Sequence, residues 1–178
     1  MIEEIKVSDE IMLKDYDKKY FNDHWSLVTN PNVSYFTTFQ VYKVPQDLHG
    51  YINRIKRENN KFPDYSNRLN WSIIDTKNDK FLGGINLLFN FKQDAVRMGY
   101  VLNEPYWDKG IMTSSVTAVI DFIKKRYPQI KVIYSDINTN NIRSKRVLEK
   151  NGFITDGKIL ERKNKGEMIP VLLYYKDL

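Results

Sequence analysis

Residues 104–115, EPYWDKGIMTSS, set a lysine and a glycine in a turn that runs straight into the apolar series Val116, Val119, Ile120 and Ile123. The spacing predicts a helix beginning near Thr113, after a strand ending near Leu102. At such a junction the first backbone N–H groups of the helix lack intrahelical partners. Together with the positive end of the helix dipole they favour an anion. Gly110 removes the Cβ that would hold a phosphate away, and Lys109 adds charge from the side. The same residues also suit a plain strand-to-helix turn. Neither GxxxxGK[ST] nor GxGxxG occurs, so this is not a nucleotide cradle of either type. A second constellation follows in INTNNIRSKRVLEKNGF, where Asn141 comes just after a strand and Ser144 three residues later. That spacing puts both on one face of a first helical turn, although Asn141 serves equally as the cap of that helix.

The elements that must position these residues are legible in the hydrophobic pattern. NWSIID, KFLGGINLLFNF and VRMGYVL, joined by the short polar turns TKND and KQDA, predict three successive strands in an antiparallel meander. A helix to about Arg126 then ends before Pro128, KVIYSDI follows as a strand, and a second helix runs from about Asn141 to Lys150. NGF closes that helix, with Gly152 suited to the left-handed position and Phe153 to the accompanying apolar contact. Late strands lie in ILERK and MIPVLLYY. Further upstream, Asp47 offers a start signal, and Leu48, Tyr51, Ile52 and Ile55 fall at i, i+3, i+4 and i+7 of a helix. The segment from Asp17 to Val28 reads as helical and then irregular. Strands first and a βαβα passage afterwards make an α/β fold with a mixed sheet.

The 178-residue chain, 42% hydrophobic, suffices for one sizeable core and is short for two. With no cysteine and only His24 and His49, disulfides, thiolate metal sites and histidine-rich metal centres are excluded, so no metal ligands are assigned. No apolar run reaches the roughly 18 residues of a membrane span, and MIEEIKVSDE lacks the order of a signal peptide; the expectation is a cytoplasmic protein without a membrane partner. The net charge of +6 is uneven: residues 124–165 hold 12 Lys and Arg against 4 Asp and Glu, leaving 16 against 18 elsewhere. A basic C-terminal half suits an anionic partner or is simply a solvated face.

Taken jointly, MGYVLNEPYWDKGIMTSS and NNIRSKRVLEKNGF resemble the GNAT N-acetyltransferases, and within them the branch of ribosomal-protein N-terminal acetyltransferases. The matching features run from about Trp71 to Gly157. The resemblance implies one domain over residues 1–178, with 1–69 mainly acceptor-side helices and 70–178 the acetyl-CoA-binding core. It also implies a mostly antiparallel sheet with splayed central strands and flanking helices. Acetyl-CoA would be the co-substrate. Backbone groups around Val101 and Leu102 would bond its pantetheine arm, and the turn from Trp107 through Lys109, Gly110, Ile111, Met112 and Thr113 would wrap the pyrophosphate. Asn141 would bond the arm, Ser144 would lie near the sulfur, and Lys145 or Arg146 would approach the phosphorylated adenosine. Met112 stands where the family more often has Gly or Ala. Leu148 stands where many members have a tyrosine acid, which leaves Ser144 as the candidate general acid.

Acyl transfer to an amine needs a neutral amine, a stabilised oxyanion and a protonated thiolate. By the same resemblance Glu161 is the first carboxylate candidate for the amine's proton, and Glu104 the alternative. Tyr16, Tyr20, Trp25, Tyr35, Phe36 and Phe39 line an acceptor groove or belong to the core. The acceptor partner is a protein N-terminus or a small-molecule amine, and a homodimer is compatible with the family. Two other classes compete: an acetyl-CoA-binding protein without activity, and a basic nucleic-acid-binding module, for which no motif is present.

Overall fold

In the computed structural model, which describes residues 2–178, the alternation in VIYSDIN becomes a strand that buries Ile133, Ser135 and Ile137 and leaves Val132, Tyr134, Asp136 and Asn138 half-buried on the other face. Seven more strands join it. In chain order the elements are β1 (Ile5–Lys6), β2 (Ile11–Lys14), α1 (Phe21–Val28), α2 (Pro31–Tyr35), α3 (Pro45–Lys61), β3 (Arg68–Asp75), β4 (Lys80–Asn90) and β5 (Ala95–Leu102), then α4 (Ile111–Arg126), β6 (Val132–Asn138), α5 (Ile142–Lys150), β7 (Ile159–Asn164) and β8 (Glu167–Asp177). They form one sheet in the order β1-β2-β3-β4-β5-β6-β8-β7. Every neighbouring pair is antiparallel except β5 and β6. The α/β fold with a mostly antiparallel sheet is therefore as expected. The strands β1 and β2 at one end of the sheet come from the N-terminal segment, where two and four residues are too few for a period to register.

The one parallel pair is short. Ala95, Val96 and Arg97 pair with Val132, Ile133 and Tyr134, and there the ladder stops although both strands continue. The buried Ser135 hydroxyl donates to the Met98 carbonyl at 2.8 Å, replacing the first lost ladder bond with a side chain. These are the splayed central strands. On the other side of β5, Gly83 makes the approach of β4 feasible: a Cβ there would sit 2.2 Å from the Val101 carbonyl oxygen.

Apolar residues close the sheet on both faces. Val116, Val119 and Ile123 of α4 and Leu148 of α5 pack with Val96, Met98 and Ile133 in one cluster; Leu27 and Val28 of α1 and Leu48, Ile52 and Ile55 of α3 pack with Ile74 and Phe81 in the other. Helix α3 begins at Pro45, two residues before the Asp47 start signal. Pro45 takes a first-turn place where its missing N–H costs nothing, and Asp47 sits in the same turn. Its far end is fixed to β3 by the buried Asn59, which donates to Asp15 and to the Asn70 carbonyl and accepts from the Asn70 N–H at 2.8 Å. Gly152, at φ +74°, closes α5, and the buried Phe153 donates its N–H back to Leu148. Among the described residues no helix is long and apolar enough to cross a membrane.

His24 of α1 is buried, stacked on Phe81 at 4.5 Å, and its Nδ1 has no partner among the described residues. Burial lowers its pKa from 6.5 to about 4. Between those values the unfolded chain binds a proton that the folded chain refuses. The contribution is intact above about pH 6.5 and is lost as pH falls towards 4. We predict a loss on the order of 2–3 kcal/mol between pH 7 and 4.5 in urea unfolding. The variant His24→Phe should lack this component, and equal pH slopes in both proteins would contradict it.

Candidate active site

Beyond Arg97 the gap between β5 and β6 opens a continuous cleft of about 980 Å³. At one end it meets the N-termini of α4 and α5, and at the other the face of the sheet beneath α2 and α3. The first end is built on the turn after β5. Gly110 caps α4 in the left-handed conformation, φ +77°, and no side chain caps the helix. The first i to i+4 bond runs from the Ser114 N–H to the Gly110 carbonyl, so the N–H groups of Ile111, Met112 and Thr113 have no helical acceptor. A Cβ at Gly110 would enter open space, which is the room an approaching phosphate needs. Met112 is only 6% exposed and joins the core, so its bulk lies under the helix. Trp107 donates its indole N–H to the Leu102 carbonyl at 2.7 Å, ending the splayed strand.

Arg143 of α5 clamps the two helix starts together. Its guanidinium lies 4.8 Å over the Trp107 ring and 3.1 Å from the Asp108 carboxylate. Asn151 adds a second tie, donating to the Thr113 carbonyl and accepting from the Thr117 hydroxyl. Arg143, Arg146 and Lys150, at i, i+3 and i+7, line the same end. Three orphaned N–H groups and three cations fit a polyphosphate. Asn141 caps α5 by accepting the Ser144 N–H at 3.1 Å, which leaves its amide N–H₂ free to donate.

The middle of the cleft is the splayed edge of β5. The Asn103 N–H donates to the Leu82 carbonyl, which fixes the alternation of the β4–β5 ladder. By that alternation the backbone groups of Val101 and Gly99 turn towards β4, and those of Tyr100 and Leu102 towards the cleft. The Met98 and Leu102 carbonyls, engaged by Ser135 and Trp107, lie on the side the alternation requires. Tyr100 donates its hydroxyl to the Ser144 carbonyl at 3.2 Å, and burial pushes its phenol well above the usual range. Among the described residues the Ser144 hydroxyl has no partner.

Val101, Leu102, Trp107, Gly110, Ile111, Met112, Thr113, Asn141 and Ser144 thus come together along one cleft. Lys109 does not line it; its ammonium lies 5.7 Å from the Tyr106 ring centre. Glu161 is exposed on β7, opposite Pro170, and outside the cleft. Glu104 is outside it too. Its carboxylate accepts from Asn30 at 2.8 Å and Asn32 at 2.9 Å, which hold its pKa below the usual value. Of the aromatic residues, Phe36 and Phe39 line the cleft, Tyr16 and Tyr20 are core, and Tyr35 is exposed. The sequence reading missed Tyr100, Arg143 and Asp136. Arg143 was legible as a cation two residues into the Asn-capped helix. Asp136 and Tyr100 needed the strand register.

Residues 11–154 match the model of the acetyltransferase (GNAT) domain. The chain belongs to the GNAT family. The chemistry of that family is acyl transfer from acetyl-CoA, in keeping with a cleft that starts at a phosphate-ready helix N-terminus. Among individual relatives, the chain is 29% identical over 121 residues to the probable N-acetyltransferase YjcK of Bacillus subtilis strain 168. That match spans 62% of this chain and 64% of YjcK, less than two-thirds of either. The fold is similar to that of the microcin C7 self-immunity acetyltransferase MccE in complex with acetyl-CoA and AMP, with a TM-score of 0.85, 20% identity, and 97% and 95% of the two chains covered. It is also similar to the Salmonella typhimurium acetyltransferase that modifies the N-terminal serine of ribosomal protein L7/L12, with a TM-score of 0.83, 18% identity and 99% of each chain covered.

The turn makes a direct prediction. In Gly110→Glu a carboxylate and a Cβ enter the space beside the orphaned N–H groups, and the left-handed φ costs a further ~1 kcal/mol. The variant should fold with a lowered melting temperature and lose the stabilisation by acetyl-CoA. An undiminished shift would leave the turn with a structural role alone.

Proposed function

We propose that this chain is an N-acetyltransferase that moves an acetyl group from acetyl-CoA to a primary amine by direct transfer, the amine belonging to a protein N-terminus or a small molecule. The observation that carries this reading is the continuity of the cleft: one channel joins the α4 and α5 N-termini to the opposite face of the sheet through the β5–β6 gap. A thioester held from the helix side would present its carbonyl at the gap, where an amine from the sheet side reaches it. No covalent enzyme intermediate is needed, in keeping with the absence of cysteine.

In this reading Ile111, Met112 and Thr113 hold the pyrophosphate with backbone N–H groups, and Arg143, Arg146 and Lys150 balance its charge. The Asn141 amide and the cleft-facing backbone of Leu102 hold the pantetheine arm. The amine nitrogen attacks the thioester carbon while the carbonyl electron pair moves onto oxygen. A cleft-facing N–H of β5, from Tyr100 or Leu102, steadies that oxyanion. Collapse breaks the carbon–sulfur bond, and the Ser144 hydroxyl donates to the departing thiolate. The Tyr100 hydroxyl already donates to the Ser144 carbonyl and fixes where that residue stands. Proton removal from the amine falls to water, since Glu104 is engaged by two asparagines, Glu161 stands outside the cleft, and the two carboxylates that line it are paired, Asp108 with Arg143 and Asp136 with Arg97 and Arg162.

Two outcomes are expected. Acetyl-CoA at about 100 times its dissociation constant should add roughly 2.7 kcal/mol to stability, and a panel of amines should release thiol at a rate that depends on the amine. A melting scan without a shift at millimolar acetyl-CoA would overturn the reading. Ser144→Ala should lower kcat by about 10²-fold with little change in KM for acetyl-CoA, the usual scale for a positioned acid. Normal turnover with a lowered melting temperature would mean that Ser144 only supports the start of α5.

A further inference from the structure

The far end of the cleft has a charge pattern that acetyl-CoA does not use. Across the sheet, Arg68 of β3, Leu88 of β4, Arg97 of β5 and Tyr134 of β6 are direct register partners, so their side chains share one face. Arg54 of α3 reaches the same wall, and Arg54, Arg68 and Arg97 all line the cleft. Two carboxylates sit among them, each between two arginines. Glu58 is 3.1 Å from Arg54 and 3.8 Å from Arg68; Asp136 is 3.2 Å from Arg97 and 3.9 Å from Arg162.

The exposure of these groups is unequal. The Glu58 and Asp136 side chains are only 17% and 13% exposed, whereas the four arginines range from 40% to 53%. The carboxylates lie beneath and the guanidiniums above, leaving an excess of two positive charges facing the opening. The pairing is also incomplete, since the buried Arg97 Nε and Asp136 Oδ1 have no hydrogen-bond partner among the described residues. Asn86 and Asn138 line the same wall and add amide donors, whereas the Asn70 amide beside them is spent on Glu58 and Asn59 at 3.2 Å. A shallower hollow of about 630 Å³ continues past Arg97 and Asp136 over Tyr134 and Tyr175, so there is room beyond the arginines. Such a wall suits an anion and repels a polycation.

We propose that the acceptor is a primary amine whose own molecule carries a carboxylate or phosphate at a distance from the nitrogen, with Arg68 and Arg97 as the specificity-determining residues. This rests on the transferase reading above. The transfer point lies beside Tyr100 and Ser144, and Arg97 is three residues back along β5, roughly 10 Å away. The anion therefore stands several bonds from the amine: in a peptide acceptor it belongs to the second or third residue, and in a small molecule to the end of a chain of about five atoms.

The test uses two matched sets of acceptors: the tetrapeptide amides Ser-Ala-Asp-Ala, Ser-Ala-Asn-Ala and Ser-Ala-Lys-Ala, and 6-aminohexanoate, 1-aminohexane and 1,6-diaminohexane. Turnover is read by thiol release with acetyl-CoA. Acceptor binding is read separately, by the melting shift of the CoA-saturated protein. The acidic member of at least one set should exceed its neutral partner by about tenfold or more in kcat/KM and in apparent affinity, with the cationic member lowest. Which set responds identifies a peptide or a small-molecule acceptor. Arg97→Gln and Arg68→Gln, the second leaving Glu58 paired with Arg54, should each bring the acidic member down to the neutral one while the acetyl-CoA melting shift persists. Turnover without charge preference, or faster reaction of the diamine, overturns the proposal and leaves the transferase reading standing. An acidic preference in binding with no turnover on any amine supports the anion site and overturns the transferase reading instead.

Discussion

Hydrogen bonding between β5 and β6 stops after three residue pairs, and a strand cannot leave its N–H and C=O groups idle in the interior without a cost comparable to a lost hydrogen bond for each. The chain satisfies some of these groups and exposes the rest. Ser135 takes the Met98 carbonyl and Trp107 the Leu102 carbonyl. The remaining groups of Tyr100 and Leu102 face a cleft, where an extended polar chain can complete the ladder in place of β6. The same divergence separates the ends of β5 and β6, and with them the starts of α4 and α5. A sheet paired to its ends would have neither the channel nor the helix N-termini flanking it.

Holding those helix starts in place is a packing problem with an electrostatic component. Two positive dipole ends on one cleft repel each other and the cations of α5. The Asp108 carboxylate between Arg143 and the turn relieves part of that, and the indole face of Trp107 takes the guanidinium without a second charge. The buried Leu148 shows the other side of the arrangement. It anchors α5 in the core, and the hydroxyls that line the cleft include those of Ser144 on the first turn and Tyr100 across the gap.

Most of this half was legible in the sequence because it is written locally. The antiparallel meander, both helices, the Gly110 turn, the Asn141 cap and the Gly152 closure each depend on residues within a few positions of one another, and periodicity and turn chemistry report on just such distances. The carboxylates were not legible. Placing Glu161 required the register of β7 on β8, and a slip of one residue moves a side chain to the opposite face. Asp136 passed unnoticed for the same reason: in KVIYSDI it is one more outward position, and only the ladder reveals Arg97 and Arg162 beside it. The N-terminal aromatics divided between core and cleft because their fate is decided by tertiary packing, which spacing within one segment does not encode.

The side of the cleft proposed for the acceptor has a different construction, and that explains why the acceptor's identity is harder to read. Its walls come from segments far apart in sequence, joined by apolar packing and by a few polar contacts. The turn between β7 and β8 docks on the segment around α2, where Lys165 donates to the Ser34 carbonyl and Asn164 to the Thr37 carbonyl at 3.2 Å. From the other side Glu104, at the end of the splayed strand, holds Asn30 and Asn32. The short helix α2 is thus fixed at one end by the residue that follows β5 and at the other by the β7–β8 hairpin. Changes in its loop or in the hairpin would reshape the acceptor opening without disturbing the strand, turn and helix starts that form the other half. A donor site encoded in contiguous motifs and an acceptor site assembled from distant surface segments can therefore vary independently, and only the first leaves a signature that a linear reading detects.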